Sequence, residues 1–410
     1  MNRLPSNSIL ETVWKTILDA SNIVYNAVHK TPLVHNVFMS KLTGNNVYLK
    51  LENLQVTGSF KARGAYYKIH KCLNEARSKG VISASSGNHA QGVAYAASIL
   101  GVQATIVMPE TTPPFKVNST KSYGAKVVLY GTVYDDAYRK ALELTSETGG
   151  VFIHPFNDID VIAGQGTIGL EIMEQLSRAE IVIIPIGGGG LISGIGTALK
   201  KLNPSIKVIG VEPSNAAKYF ASRKTGKLVT IQPRASIADG VIAKSTGDLT
   251  YQIMNEVVDD VITVDEESIA RAIYILMERA KIVAEGAGAL PMAALLEGNL
   301  INQGRNVVLV ISGGNIDLAT LYKILIKGLA YDSRIVNIKV VLRDVHGELL
   351  KVLNVLYKYK CNIVDIRHDR FNLKVPVGHA LVEIIIEIPD VDVIDKIRKE
   401  LSELDVIIWS

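Results

Sequence analysis

The chain has 410 residues, 48% hydrophobic and 20% charged, a balance that excludes a disordered chain and suits two or three folded domains. Forty-four Lys and Arg against 40 Asp and Glu leave a formal charge of only +4, with no basic run that could track a nucleic acid. No apolar stretch approaches the roughly 18 residues that span a bilayer, the first residues carry no apolar leader, and two cysteines, Cys72 and Cys361, are too few for a disulfide framework and show no metal-type spacing, so a cytosolic protein is expected.

From about residue 47 to 330, short β-branched runs alternate with helical patterns. Strands are predicted at Val47–Leu51, Val81–Ala84, Ala104–Met108, Lys126–Leu129, Val151–His154, Ile181–Ile186, Val208–Glu212 and Val307–Ser312. Helices such as Tyr134–Glu147, Asp158–Leu176 and Glu266–Lys281 fall between them. That alternation predicts an α/β fold of parallel sheets covered on both faces. The run Ile-Val-Ile-Ile-Pro-Ile from Ile181 is apolar throughout, as a strand buried on both faces should be.

Beyond residue 335 the pattern changes. Val336, Ile338, Val340 and Leu342 alternate with Asn337 and Lys339, which marks a strand with one wet face. A helix follows on Leu349, Leu353 and Leu356, then strands at Asn362–Arg367 and Ala380–Ile388. A second helix, on Ile394, Ile397 and Leu401, and a short strand over residues 405–409 complete a β-α-β-β-α-β order, a ferredoxin-like unit. Its expected linker is Tyr331–Arg334.

Ligands of α/β sheets bind beyond the carboxyl ends of strands, so the segments following strands concentrate the chemistry. Four stand out. Gly187-Gly188-Gly189-Gly190-Leu191 lies between a buried strand and a helix. Bare backbone N–H groups backed by a helix N-terminus form a cradle for phosphate. The same glycines loosely fit a dinucleotide fingerprint, with Glu212 ending the next strand as the ribose acid, but the third glycine of that fingerprint is missing.

The second segment is Thr57-Gly58-Ser59-Phe60-Lys61-Ala62-Arg63-Gly64-Ala65. A lysine opening a helix, with Arg63 two residues on, is placed where a neutral amine can form a Schiff base with a carbonyl; read alone, a solvated surface lysine is the default. The third is Ser83-Ala84-Ser85-Ser86-Gly87-Asn88-His89, whose hydroxyls, amide and N–H groups suit a carboxylate or a ring oxygen. The fourth is Ser312-Gly313-Gly314-Asn315, a hydroxyl at a strand end followed by two glycines. His29, His35 and His70 have no metal-type spacing, and Asp135-Asp136 reads as a helix start rather than a carboxylate dyad.

Together, in this order, these segments resemble the fold-type II pyridoxal-phosphate enzymes, within them the threonine dehydratases, over roughly residues 15–330. Thr-Gly-Ser-Phe-Lys-x-Arg-Gly-Ala and Ser-Ser-Gly-Asn-His-x-Gln-Gly carry the resemblance. His154-Pro155-Phe156-Asn157, Ala163-Gly164-Gln165-Gly166-Thr167, Ala238-Asp239-Gly240 and Glu285-Gly286-Ala287-Gly288-Ala289 extend it. The tail is similar to an ACT-type regulatory domain. The resemblance implies a large catalytic domain over 1–55 and 156–330, a small one over 56–155, and an ACT-like domain over 335–410.

It also implies roles. Lys61 would hold the pyridoxal 5'-phosphate and remove the Cα proton, with Phe60 beside it. Gly187, Gly188, Gly189, Gly190 and Leu191 would bind the phosphate, Asn88 the ring hydroxyl, and Ser312 the pyridine nitrogen, with Glu285 also lining the cofactor. Ser85, Ser86, Asn88 and His89 would hold the substrate carboxylate. The implied reaction converts L-threonine to 2-oxobutanoate and ammonia, and L-serine to pyruvate, within isoleucine synthesis or threonine breakdown. Serine racemase is the alternative, because Ser86 sits where that family places an acid/base on the opposite face. An amino-acid-sensing binding protein is the non-enzyme alternative.

Two departures from the resemblance matter. Relatives that bind a divalent cation use a Glu, a backbone carbonyl and an Asp; here Glu212 and Ala216 match but Lys218 stands at the Asp position. An ammonium is no metal ligand, so no metal is expected and Lys218 becomes the partner of Glu212. In the tail, Asp344-Val345-His346-Gly347 lacks the proline usual in ACT loops. Asp344, Gly347 and Asn362 are the implied contacts of a branched-chain amino-acid effector, and a homodimer or homotetramer is expected.

Overall fold

The computed structural model describes residues 6–297, 300, 303–404 and 407–408. Its strands are β1 (Leu33–His35), β2 (Asn46–Leu51), β3 (Val81–Ala84), β4 (Ala104–Met108), β5 (Lys126–Leu129), β6 (Val151–Phe152), β7 (Ile181–Pro185), β8 (Lys207–Pro213), β9 (Asp260–Val264), β10 (Asn306–Ile311), β11 (Ile335–Arg343), β12 (Asn362–Asp369), β13 (His379–Glu387) and β14 (Ile407–Ile408). The chain divides into two compact units, one ending at Ile316 and the other starting at Asp317, so the helix Leu318–Tyr331 belongs with the C-terminal unit.

The first unit holds two sheets. The larger runs β1-β2-β10-β7-β8-β9 and is parallel apart from β1, which pairs antiparallel with β2. The smaller runs β5-β4-β3-β6 and is parallel throughout. Every residue of β7 is buried, as its unbroken apolar run requires. Helices flank it: Ile159–Gln175, whose N-terminus is capped by the Asp158 carboxylate accepting the N–H of Asp160 and Val161, and Gly190–Leu202. Their glycines let them approach closely, since a Cβ on Gly194 would lie 2.3 Å from the Ile162 carbonyl oxygen.

Strand order fixes where a ligand can sit. From β7 the chain proceeds outward through β8 and β9, then returns to place β10 on the other side of β7. In the small sheet β3 is followed outward by β4 and β5, and β6 returns to its other side. Each sheet therefore has a switch point, at β7/β10 and at β3/β6, where loops leave in opposite directions and open a crevice. The glycine run follows β7, Ser312-Gly313-Gly314 follows β10, Ser85–Asn88 follows β3, and His154–Asn157 follows β6.

The C-terminal unit carries the sheet β12-β13-β11-β14, antiparallel throughout, with helices Glu348–Lys358 and Val393–Glu403. That is the ferredoxin-like order. Val340, Leu342, Val382, Ile384 and Ile386 face Val352, Leu356, Ile397 and Leu401 in its core. On the wet face Lys339 pairs with Glu383 directly across the strands at 3.0 Å. Of the strand expected over 405–409, only Ile407–Ile408 lie within the described residues.

The sequence pattern missed β1 and β9. The first has three residues and the second opens on Asp260, so neither offers enough alternation to be seen.

Candidate active site

Lys61 opens the helix Lys61–Lys71. Its Nζ donates to the Pro155 carbonyl at 2.7 Å and lies 5.2 Å from the centre of the Phe60 ring. Burial lowers its pKa to about 8, against a smaller upward pull from Glu285. The neutral amine expected from the sequence is thus within reach near physiological pH, but the cause differs.

Arg63 does not contribute to that shift, which corrects the sequence expectation. Its guanidinium is fully buried on the other side of the helix. It binds Glu52 through Nε and Nη2, each at 2.8 Å, and Glu171 through Nη1 at 2.6 Å. Lys50 completes the cluster at 2.5 Å from Glu171, also with no exposed side-chain surface. Arg63 is instead a strut: it ties the first turn of the Lys61 helix to the end of β2 and to the helix Ile159–Gln175.

The glycine run forms the expected cradle. A Cβ on Gly188 would lie 2.2 Å from the Phe156 ring, and Gly189 has φ +95 with Thr250 only 2.9 Å from a would-be Cβ. Side chains are excluded from the mouth of this helix, leaving backbone N–H groups and the positive end of the helix dipole. Thr250 Oγ1 donates to the Gly188 carbonyl at 2.7 Å, and Asn157 Oδ1 accepts from Leu249 N–H at 3.1 Å, so the cradle is braced from behind. Glu212 is not free to bind a ribose. It is fully buried, accepting from Lys218, Tyr219 and Phe220, which removes the dinucleotide reading.

Asn88 bridges the two sheets. Its Nδ2 donates to Glu285 Oε1 at 2.7 Å, and its Oδ1 accepts from Asn315 Nδ2 at 2.8 Å. Asn315 also donates to the Thr57 carbonyl at 2.8 Å. Asn315 has no role legible in the sequence, because its contact with Asn88 spans 227 positions and leaves no local trace. Burial, aided by Asp239, raises the Glu285 pKa to about 7.

Ser312 is 2% exposed at the end of β10, and its carbonyl accepts from Phe60 N–H at 3.1 Å, so the hydroxyl-bearing strand end and Lys61 are neighbours in one network. Ser85 Oγ accepts from Gly87 N–H at 3.2 Å, and Ser86 is half-buried beside it. His89 is buried with its Nε2 3.1 Å from the Ile153 carbonyl, and burial lowers its pKa to about 3. The neutral ring donates from Nε2 to that carbonyl, so His89 meets the crevice through its backbone at the start of the helix Asn88–Leu100. His154 is likewise held neutral, its pKa lowered to about 4 by burial and the nearby Lys61, with Nδ1 accepting from Asn157 N–H at 2.8 Å.

The residues present fit pyridoxal phosphate: a cradle that any Cβ would fill, an amine lowered toward neutrality, and a hydroxyl at the adjacent strand end. Among the described residues no group of three His, Cys, Asp or Glu side chains is placed to hold a metal ion. At the Glu212 position the Lys218 ammonium sits 3.0 Å from Glu212 Oε1 and 3.2 Å from the Ala216 carbonyl. Asp135 and Asp136 open the helix Tyr134–Thr148, as expected.

In the C-terminal unit, Asp344 follows β11 and pairs with Arg370 at 3.0 Å, while Gly347 opens the next helix at φ +88. Asn362 is not brought to them. It pairs with Glu387, which also faces Ile335, whereas Arg343 faces His379 at the opposite end of the sheet.

A family model described as "Pyridoxal-phosphate dependent enzyme" matches residues 24–313. An L-threonine ammonia-lyase of Thermotoga maritima is 46% identical over 385 residues, 94% of this chain and 96% of that protein. Such a length extends past residue 316, so that relative aligns with the C-terminal unit as well. Among solved structures, threonine deaminase isoform 2 of Solanum lycopersicum is 39% identical with a TM-score of 0.74, covering 77% of this chain and 87% of that one. Maize serine racemase is 37% identical with a TM-score of 0.73, covering 78% and 98%.

Proposed function

Since this chain belongs to the pyridoxal-phosphate dependent enzymes, with their fold-type II architecture, we propose that it is a threonine ammonia-lyase, converting L-threonine to 2-oxobutanoate and ammonia and L-serine to pyruvate. The observation that carries this reading is the meeting of both switch points at Lys61, whose amine burial brings to a pKa of about 8. An amine so tuned can accept a proton at Cα and give it up again near neutral pH.

When bound, the cofactor supplies an electron sink for the negative charge left at Cα. The chain's residues do the rest. The backbone N–H groups of Gly187 to Leu191 anchor the phosphate. Ser312 would offer the pyridine nitrogen a neutral hydroxyl, which would keep the sink weaker than a carboxylate partner would make it. Asn88, locked by Glu285 and Asn315, would meet the ring hydroxyl. The Ser85–His89 turn, with its helix N-terminus, receives the substrate carboxylate and holds the Cα–H bond toward Lys61 Nζ.

The C-terminal unit supports a regulatory reading. It contributes none of the catalytic segments, has the ferredoxin-like order of ACT domains, and aligns with the Thermotoga relative. We assign it an effector site for a branched-chain amino acid built from Asp344, Gly347 and Asn362. Those residues lie at opposite ends of one sheet, so a site using all three draws them from two copies and requires at least a homodimer. A cytosolic place in isoleucine synthesis or threonine breakdown accords with the same reading.

The decisive experiment measures oxo-acid release from L-threonine and L-serine, together with the chirality of the serine left behind. Rapid release from threonine with residual serine remaining L supports the lyase. Accumulation of D-serine faster than pyruvate replaces it with the racemase, Ser86 then serving the second face. Absence of both, with the cofactor bound, leaves the sensing protein.

A further inference from the structure

Lys218 opens the short helix Lys218–Thr225, and neither its side chain nor that of Glu212 has any exposed surface. Its Nζ has four oxygens around it: Glu212 Oε1 at 3.0 Å and the carbonyls of Ile186 at 3.1 Å, Ala216 at 3.2 Å and Val241 at 3.2 Å. An ammonium has three donors, so four acceptors at nearly equal distance surround it as they would an ion.

The oxygens come from separate segments: the end of β7, the end of β8, the turn that follows it, and the turn Asp239–Val241. Two of these border the phosphate cradle. Ile186 immediately precedes Gly187. A Cβ on Gly187 would lie 3.4 Å from Val241 Cα and 3.6 Å from the Gly240 carbonyl, so the Val241 turn is packed against the cradle's first residue. The same turn faces Glu285, whose Oε1 is 3.8 Å from a would-be Cβ on Gly240. One charged group therefore fixes both walls of the cradle's entrance.

A buried ion pair adds little net stability compared with an apolar filling, because desolvation offsets the attraction. Its use here is geometric. We propose that Lys218 is a positioning residue whose ammonium acts as a tethered cation, holding the cradle in its phosphate-binding shape so that cofactor binding needs no added inorganic cation. Removing the side chain leaves an oxygen-lined hole with one carboxylate, which a small monovalent ion fits. The inference rests on the glycine run being the phosphate's seat.

The test compares pyridoxal-phosphate affinity of wild type and Lys218→Ala, by fluorescence titration in chelator-treated tetramethylammonium buffer, then with ammonium or potassium chloride added. Wild type is expected to bind equally in all buffers. Lys218→Ala is expected to bind at least ten-fold more weakly in tetramethylammonium and to recover most of that loss with ammonium or potassium. Unchanged affinity in the variant, a wild type that itself needs the added ion, or a loss that neither ion restores overturns the proposal. Gly188→Ala tests the premise separately: it should abolish binding in every buffer, and normal binding there refutes the seat rather than the tether. If Lys218→Ala does not fold, Lys218→Met with Glu212→Gln removes both charges at similar volume. That pair should fold and bind the cofactor weakly with no ion response; wild-type affinity in it overturns the proposal.

Discussion

Asn88 donates its amide to Glu285 Oε1 at 2.7 Å, joining residues 197 positions apart across the crevice between the two sheets. The carboxyl it meets has a pKa raised to about 7, chiefly by burial and further by Asp239. The folded protein therefore retains a proton between about pH 4.5 and pH 7 that the unfolded chain has released. A group raised in this way makes stability fall as pH rises through that window. The slope amounts to about 3 kcal/mol in all. Glu285→Gln keeps an oxygen for Asn88 and removes the titration. Urea midpoints of the apoprotein at pH 5, 6, 7 and 8 should fall for wild type relative to the variant as pH rises, the buried neutral His89 and His154 acting alike in both. Parallel curves would show that Glu285 does not titrate there.

Lys61→Ala should abolish the visible absorbance of bound cofactor and lower turnover by at least about 10³-fold, the range expected when a positioned acid/base is lost. The protein should remain folded, because a group whose pKa is depressed by burial opposes folding below that pKa rather than supporting it. Far-UV circular dichroism with an absorbance scan checks both halves. A retained cofactor band would exclude Lys61 as the attachment point.

Arg63→Met should cost about 3–5 kcal/mol of stability, since it leaves the buried carboxylates of Glu52 and Glu171 with Lys50 as counter-charge and the hydroxyls of Thr31 and Tyr25 as donors. Because Arg63 ties down the turn that begins with Lys61, the folded fraction should also lose kcat more than it gains KM. Arg63→Lys should recover part of the stability only, lacking the fork that reaches both acids. A loss of stability with an unchanged kcat would separate the strut from the active site.

Those predictions differ in how far the sequence alone supports them. Lys61, the glycine run, the Ser85–His89 turn and Ser312 are legible because each is a local pattern at a strand end, where chemistry collects. Bounds of β3 and β4 are legible because buried parallel strands are short apolar runs between turns, and those of β5, at the sheet edge, because Val127 and Val128 form a short β-branched run. The partners of these residues are not. Arg63 meets Glu171 over 108 positions and Asn315 meets Asn88 over 227, and nothing near either residue announces such a contact. Lys218 is an intermediate case. Its charge in an otherwise matching pattern marks the position, but the carbonyls of Ile186 and Val241 that close around it come from strand order, which composition and periodicity do not encode.

The same limit decides where to cut the chain. The sequence places the linker at Tyr331–Arg334, whereas the compact unit that carries the catalytic segments ends at Ile316. The helix Leu318–Tyr331 groups with the C-terminal unit, so a chain ending at Ser333 keeps a helix separated from its sheet, with Leu318 76% and Tyr322 65% exposed even in the intact chain. Ending at Ile316 is the cleaner test of regulation. An amino-acid effector can change activity only by binding one assembled state more tightly than another. The shortened chain should release oxo acid from threonine at a rate within about three-fold of the full chain, and lose any response to isoleucine or valine, because the effector's differential binding leaves with the unit. A shortened chain that still responds would place the effector in the catalytic unit. If the full chain itself ignores both amino acids, restoring the missing turn residue with His346→Pro is the next measurement. A response gained there would locate the site at the Asp344–Gly347 loop, and continued silence would assign the unit to assembly alone.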